Sequence, residues 1–375
     1  RCKDPLRVDR PWRTVRCVTQ CNCYALRYTV HKATVTSLDP PSPKTTENQM
    51  DVIALDIGRS AVKIAAPGGV QFTIPSVVMP AVEASRLAVD GSAESAKRDL
   101  VELDGQEYFI GQTAADQVKT REPTGLFAEW IETDAHKALL KGAYERAKKE
   151  SGSNDGMLIL GLPSEHYHTH KDQLAKIAAL TLRLPLEHVM VLPQAFGAYM
   201  ALMLDEDSAA APGREPKAES WGVIDVGFYT TDFGLLSGGK WVGFASESVD
   251  GSHKAAETLV QSAAKYGVKR GEADEVLRRG TIRHMNQVVN LEKEVAAARD
   301  SLAKEIIDAA SRVFGERLPR LNGILVAGGG SDYVFKQIKK VWPHAETLPN
   351  ARMAIAEGLR RYGIGTVRRA NAAKA

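Results

Sequence analysis

Two stretches of the chain carry the same pattern of apolar and polar positions. From Trp221 to Leu236, WGVIDVGFYTTDFGLL, an apolar strand (Gly222 to Ile224) runs into a bend at Asp225-Val226-Gly227, and a second strand from Tyr229 alternates Thr with apolar residues. This is a β-hairpin pattern. From Val52 to Ala66, VIALDIGRSAVKIAA, an apolar strand again meets an acid, Asp56, a glycine follows two places on at Gly58, and an alternating strand leaves through Val62, Lys63 and Ile64. A single D-x-G bend reads equally as a tight hairpin with an Asx-type turn. The matched pair predicts two similar halves, each presenting one loop to a shared cleft.

The other elements follow from period and punctuation. The first half continues with a strand at Val70 to Ile74 and a two-stranded module at Leu100 to Ile110 turning on Asp104-Gly105. Helices are predicted at Gln112 to Lys119 and Asp134 to Glu150, then a buried strand at Met157 to Leu162 that stops at Pro163. A helix at Lys171 to Leu182, a strand at His188 to Leu192 and a helix at Gln194 to Leu204 complete this half. After the second hairpin come a strand at Lys240 to Glu247, a turn at Asp250-Gly251, and a helical block from Ser252 to Phe314 broken at Gly267 and Gly280. The last helix of that block is predicted from Val288, on an apolar stripe through Leu291, Val295, Ala298, Leu302, Ile306, Ala309 and Val313. A strand at Gly323 to Val326 then meets Gly328-Gly329-Gly330 before a helix at Asp332 to Val341, and a closing helix runs from Ala351 to Tyr362 and stops at Gly363.

The domain reading is a first domain over 50–204 with a small insertion at about 81–133, a polar Pro/Gly/Ala linker at 205–219, and a second domain over 220–365. A helical subdomain at about 251–319 lies within the second, and a mobile basic tail spans 366–375. Residues 1–49 lack periodicity and end in a Pro/Ser/Thr run, so they are expected to be a disordered or non-native extension, with Met50 the natural start.

Composition narrows the function classes. The chain has 375 residues, 44% of them hydrophobic, enough for one or two sizeable cores. Its net charge of +3 is misleading, because residues 1–49 hold nine Lys/Arg against four Asp/Glu, leaving 40 against 42 for the rest. A general nucleic-acid-binding face is therefore not expected. All four cysteines (Cys2, Cys17, Cys21, Cys23) fall in the same 49 residues without a fourth ligand at zinc spacing, and a cysteine-free body suits a reducing cytoplasm. The longest apolar stretch, Val189 to Leu204, is broken by Pro193 and Gln194 and is too short to span a bilayer. Three histidines in EHYHTH (His166, His168, His170) are read as solvated side chains of a loop and early helix rather than a metal cluster.

The chemistry gathers at the bends. A carboxylate beside freely oriented backbone N–H groups suits a phosphate and its magnesium. Gln194, in the first turn of a helix after Pro193, either faces an adjoining cleft or merely caps. Gly328-Gly329-Gly330, between a buried strand and a helix start, allow a flat or anionic ligand to approach the backbone, although any tight βα turn would use them.

In chain order the features are a D-x-G hairpin, GLP after a buried strand, Pro-Gln at a helix start, a second D-x-G hairpin, GGG at a helix start, and ARMAIAEGL at the last helix. This order resembles the actin-like ATPase superfamily over residues 51–365, and within it the ParM-like plasmid segregation proteins and their relatives encoded in plasmid and integrative cassettes. The resemblance implies an α/β, actin-like (ribonuclease H-like) two-domain ATPase fold with a nucleotide cleft between the domains. Carried over by motif, Asp56, Gly58 and Lys63 match the first phosphate loop, with Arg59 and Ser60 at its tip, and Asp225 and Gly227 match the second, with Phe228, Tyr229 and Thr230 following. Asp56 and Asp225 would hold magnesium through water, Gln194 would orient the attacking water, and Lys63 would reach the phosphates. Asp250, Gly251, Gly328, Gly329, Gly330 and Ser331 would complete the nucleotide contacts, and Gln194 to Met200 and Met353 to Gly358 would be the connecting helices at the hinge.

Two positions depart from the pattern. Arg59 stands where many relatives have a small hydroxyl residue, and Phe228 where several have a second glycine. A bulky residue at a tip needing positive φ costs about 1–2 kcal/mol, so these departures bear on hydrolysis rate more than on binding. The resemblance further implies slow hydrolysis of ATP, with GTP left open, filaments of the chain with itself, a DNA-binding adaptor as partner, no membrane, and a cytoplasmic setting. The alternatives are a metabolic small-molecule kinase of the same fold, which would want an acceptor pocket with a base, and a nucleotide-binding regulator that does not polymerise.

Overall fold

The computed structural model describes residues 50–81, 93–117, 128–243 and 247–374. The expectations for residues 1–49, part of the 81–133 insertion and the end of the helix at Gln112 to Lys119 lie outside the described residues. The first half contributes β1 (Val52–Ile57), β2 (Ala61–Ala66), β3 (Val70–Pro75), β4 (Val78–Pro80), α1 (Ala93–Arg98), β5 (Leu100–Leu103), β6 (Gln106–Ile110), α2 (Gly111–Gln117), α3 (Asp134–Ser151), β7 (Met157–Leu162), α4 (Ser164–Leu182), β8 (Val189–Pro193) and α5 (Gln194–Met203). The second contributes β9 (Ser220–Val226), β10 (Thr230–Ser237), β11 (Lys240–Trp241), β12 (Ser248–Asp250), α6 (His253–Ser262), α7 (Arg270–Arg279), β13 (Thr281–His284), β14 (Gln287–Asn290), α8 (Glu292–Phe314), β15 (Gly323–Ala327), α9 (Ser331–Val341), β16 (Ala345–Thr347) and α10 (Ala354–Ala372).

The two halves repeat one topology. The first main sheet runs β3-β2-β1-β7-β8 and the second β11-β10-β9-β15-β16, with β12 also pairing β10. In each, an antiparallel hairpin is followed by two parallel crossover strands. The parallel strands are buried on both faces and read as continuous apolar runs, MLILGL in β7 and GILVA in β15.

Each sheet carries its own core on the outer face. Leu139, Leu140 and Ala143 of α3 pack with Ile53, Leu55 and Leu158 of the first sheet, and Leu302, Ile306 and Phe314 of α8 pack with Ile224, Phe233 and Ile324 of the second. Between the inner faces lie α5 and α10. Their apolar residues, Ala198, Tyr199, Ile355 and Leu359 among them, share one cluster with Val52 and Ile159 of the first sheet and Trp221, Val223 and Leu325 of the second. The axes approach so closely that a Cβ on Gly358 would stand 1.8 Å from the carbonyl oxygen of Gly197. Beneath this crossing, Arg360 and Arg361 bond to the buried Glu357, and Arg361 also donates to the carbonyls of Ala201 and Leu204 at the end of α5.

Four element boundaries differ from the sequence expectation. Of the strand expected at Lys240 to Glu247, Lys240–Trp241 form β11 and residues 244–246 lie outside the described residues, while β12 follows beyond it; both strands pair with β10. The helix expected from Val288 begins at Glu292. Thr281–Asn290 form a hairpin because Met285 and Asn286 take left-handed φ of 46° and 62°, as a two-residue hairpin turn requires. Helix α4 starts at Ser164, taking in His166, His168 and His170. Finally, α10 passes through Gly363 to Ala372, so most of the expected mobile tail is helical. Gly363 is a packing residue rather than a stop, since a Cβ there would meet Val52 and Ile159. No helix among the described residues is long and apolar enough to cross a membrane.

Candidate functional site

The first loop is built by register. Asp56, at the end of β1, stands opposite Lys63 across the hairpin ladder, and the Lys63 ammonium donates to Asp56 Oδ2 at 2.8 Å. Asp56 is fully buried. Its other oxygen accepts from Gln194 Nε2 at 2.6 Å, a contact spanning 138 residues that depends on α5 starting at Gln194 beside the end of β7. Burial works against the Lys63 charge, yet the attraction of Asp56 and Asp225 outweighs it and lifts the lysine above its ordinary value. Ser76, from the end of β3, donates to the Gly58 carbonyl and braces the loop from behind.

The second loop has the same frame and a different charge. Asp225 stands opposite Asp232 in the β9–β10 ladder, seven residues on, as Lys63 is from Asp56. Asp225 is 6% exposed, and among the described residues no group donates a hydrogen bond to its carboxylate. Burial pushes this carboxyl up to about 7, with Lys63 pulling it down and Asp232 and Asp56 pushing it further up. Asp232 is itself raised by burial, although Ser248 and Thr230 bond to it. A buried acid in this state is relieved by a cation, so the chemistry of the site suits a divalent ion.

Gly58, Arg59, Ser60, Lys63, Gln194, Asp225, Gly227, Phe228, Tyr229 and Thr230 line one cavity between the sheets. Asp56 lies just behind it, under Lys63 and Gln194. Asp250, Gly251, Gly328, Gly329, Gly330 and Ser331 do not line this cavity. Asp250 is half-exposed and pairs with Lys254 at 3.2 Å. Gly251, Ser252 and His253 instead donate backbone N–H groups to the carbonyls of Tyr229, Gly227 and Phe228, stapling the second loop in place.

The glycine loop touches the second aspartate directly. Gly328 has φ of 88°, and a Cβ there would stand 2.4 Å from Asp225 Oδ1, so only glycine is tolerated. Arg278 of α7 donates to the Gly329 carbonyl at 3.2 Å and lies over the Tyr333 ring, binding the helical block to this loop. Phe228 is not among the residues with positive φ, so the strain expected of a bulky side chain there does not arise. Its ring packs edge-on to Tyr229.

Several lining residues escaped sequence reasoning. Trp130, Ile131, His136 and Leu174 form an annex beside the two D-x-G loops, joined by His166 and His170 from the first turns of α4. His136 is buried, its Nδ1 has no hydrogen-bond partner among the described residues, and burial lowers its pKa to about 3. Asp232 had a signal, its spacing from Asp225. The others had none, because their neighbours come from distant segments. Among the described residues no group of three or more His, Cys, Asp or Glu is placed to hold a metal ion.

Residues 54–197 match the family of actin-like protein N-terminal domains, and residues 223–340 match the C-terminal domain of the archaeal, MreB-like actin homologues. No curated protein matches the sequence. Among solved structures, the actin-like protein Alp7A superposes with a TM-score of 0.68 at 15% identity, over 86% of this chain and 98% of that one. MreB 5 of Spiroplasma citri bound to AMPPNP gives 0.62 at 16% identity, over 88% and 100%. A ParM from a 15-stranded filament of Clostridium botulinum gives 0.61 at 20% identity, over 84% and 99%. The two matched domains lie in order on the two repeated sheets, and the chain belongs to the actin-like proteins, with the two-domain fold shared by ParM, Alp7A and MreB.

Proposed function

We propose that the chain is a magnesium-dependent ATPase that assembles into filaments and, through a DNA-binding adaptor, segregates or positions DNA in the cytoplasm. The observation that carries this reading is the convergence of two D-x-G loops, one from each sheet, on a cavity with Lys63 and Gln194 on one wall, Asp56 behind them, and Asp225 on the other wall. The AMPPNP bound by the Spiroplasma protein and the filament formed by the Clostridium protein lend support by likeness of fold.

Phosphoryl transfer to water asks a protein for positioning and charge neutralisation rather than covalent chemistry. In this reading Lys63 meets the phosphates, and the N–H groups of the Gly58 and Gly227 loops cradle them. Asp56 and Asp225 would hold magnesium through its waters, and the ion when bound neutralises phosphate charge. Gln194, held against Asp56, is placed to orient the attacking water with its amide. A neutral amide is a weak activator, which suits slow turnover. The glycine loop of residues 328–330 takes the nucleoside.

The test is ATP hydrolysis with and without magnesium, in the wild type and in Asp225→Ala. Magnesium-dependent turnover that disappears in the variant supports the reading, and wild-type turnover from the variant removes its basis.

A further inference from the structure

We propose that Arg59 is a catalytic residue of this site, an arginine supplied within the chain that contacts the γ-phosphoryl group and stabilises it during transfer. The proposal rests on the ATPase reading and gives one residue a role that the phosphate loops alone do not supply.

Arg59 sits at the tip of the β1–β2 loop, between Gly58 and Ser60, and lines the cleft cavity with Lys63, Gln194 and Asp225. Of the other cations near the site, Arg352 acts on Lys63 by charge but does not line the cavity, and two more are already engaged. Lys63 is tied to Asp56 at 2.8 Å and is 15% exposed, and Arg278 is held by Asp274 and the Gly329 carbonyl. Arg59, by contrast, makes no hydrogen bond or ion pair with any described residue. Its charge is also felt by Asp232 on the opposite sheet, where it opposes the larger upward push of burial. An uncommitted planar fork of donors at the rim of a phosphate cavity costs its loop nothing to redirect onto an anion.

The chemistry gives that fork a task. The water oxygen bonds to the γ-phosphorus as the bond from that phosphorus to the β–γ bridging oxygen breaks. The electron pair stays on the leaving diphosphate, and the water's protons pass to the phosphate product and solvent. Charge is spread over the three equatorial oxygens meanwhile, and an arginine on them contributes roughly 10³-fold or more in turnover. A diphosphate lacks those oxygens, so Arg59 distinguishes ATP from ADP, whereas Lys63 and the glycine loop serve both.

The experiment compares wild type, Arg59→Ala and Arg59→Lys for kcat, KM, and affinity for ADP and for AMPPNP with magnesium. Arg59→Ala should lower kcat by about 10³-fold, leave ADP affinity within about twofold, and abolish the preference for AMPPNP over ADP. Arg59→Lys should recover only part of kcat, because a point charge replaces a fork. A kcat within about threefold of wild type, or parallel loss of ADP and AMPPNP affinity, overturns the proposal. A wild type that binds both nucleotides without hydrolysing ATP overturns the ATPase reading instead. The role in transfer falls with that reading, and contact with the γ-phosphoryl group stands or falls on the AMPPNP preference.

Discussion

Asp225 faces Asp232 across the second hairpin in the register in which Asp56 faces Lys63 across the first. One half of the cleft therefore neutralises its aspartate internally, and the other holds a buried acid raised to about 7. In the nucleotide-free protein this has a definite sign. The folded state keeps a proton that the unfolded chain releases near pH 4, so this group's contribution to stability falls as pH rises from about 4 to about 7 and is level above that. Asp225→Asn should remove the slope and melt higher than wild type at pH 8 while matching it near pH 4. Thermal melts at the two pH values decide this, and identical pH profiles would contradict it.

Gln194 makes its bond to Asp56 inside the cavity, where it can also meet a water. Gln194→Ala should slow hydrolysis by roughly 10²-fold, the scale for one lost transition-state contact, and leave nucleotide affinity nearly intact. Single-turnover rates beside equilibrium titration separate the two effects. Equal loss of binding and rate would make Gln194 a structural residue only.

His136 supplies a pH effect of opposite sign. Its imidazole is buried neutral with a pKa of about 3, against 6.5 when unfolded, so its contribution is full above pH 6.5 and is lost as pH falls toward 3. Its ring meets Trp130 edge-on at 4.8 Å, a place another ring can take. His136→Phe should flatten this part of the acid limb, seen as a melting-temperature advantage over wild type that grows between pH 6 and pH 4. A constant difference across that range would argue that the histidine is not buried neutral.

The crossing of α5 and α10 leaves no room for a methyl group. Gly358→Ala would place Cβ against the Gly197 carbonyl, and because the cluster there joins both sheets, the helices must separate. A loss of about 3 kcal/mol is expected, the upper range for overpacking, measured by urea denaturation. A change under about 0.5 kcal/mol, ordinary for a surface site, would mean the helices are not packed so closely.

The repeated hairpins were legible because alternation and D-x-G spacing are local signals, and they located both aspartates before any contact was known. The glycine loop was legible for the same reason. The β13–β14 hairpin was not, because Val288 and Leu291 fall on the stripe that α8 continues and the turn at Met285-Asn286 lacks a glycine. The end of α10 was misjudged because Gly363 has the look of a stop signal, and only its contact with Val52, more than 300 residues earlier, shows otherwise. The Asp56–Gln194 bond and the burial of His136 are products of tertiary packing, for which a single sequence holds no local sign.

Nucleotide-gated assembly is the central claim. If loops from both sheets close on one polyphosphate, the γ-phosphate favours the closed arrangement, and hydrolysis removes that contact. A head-to-tail surface that matches only when closed then propagates as a filament. Sedimentation of the protein with magnesium and AMPPNP, with magnesium and ADP, and as Asp225→Ala with AMPPNP tests this most directly. The account predicts a pellet in the first case and soluble protein in the other two. Wild type that stays monomeric with AMPPNP, well above micromolar concentration, or that pellets equally with ADP, would contradict it.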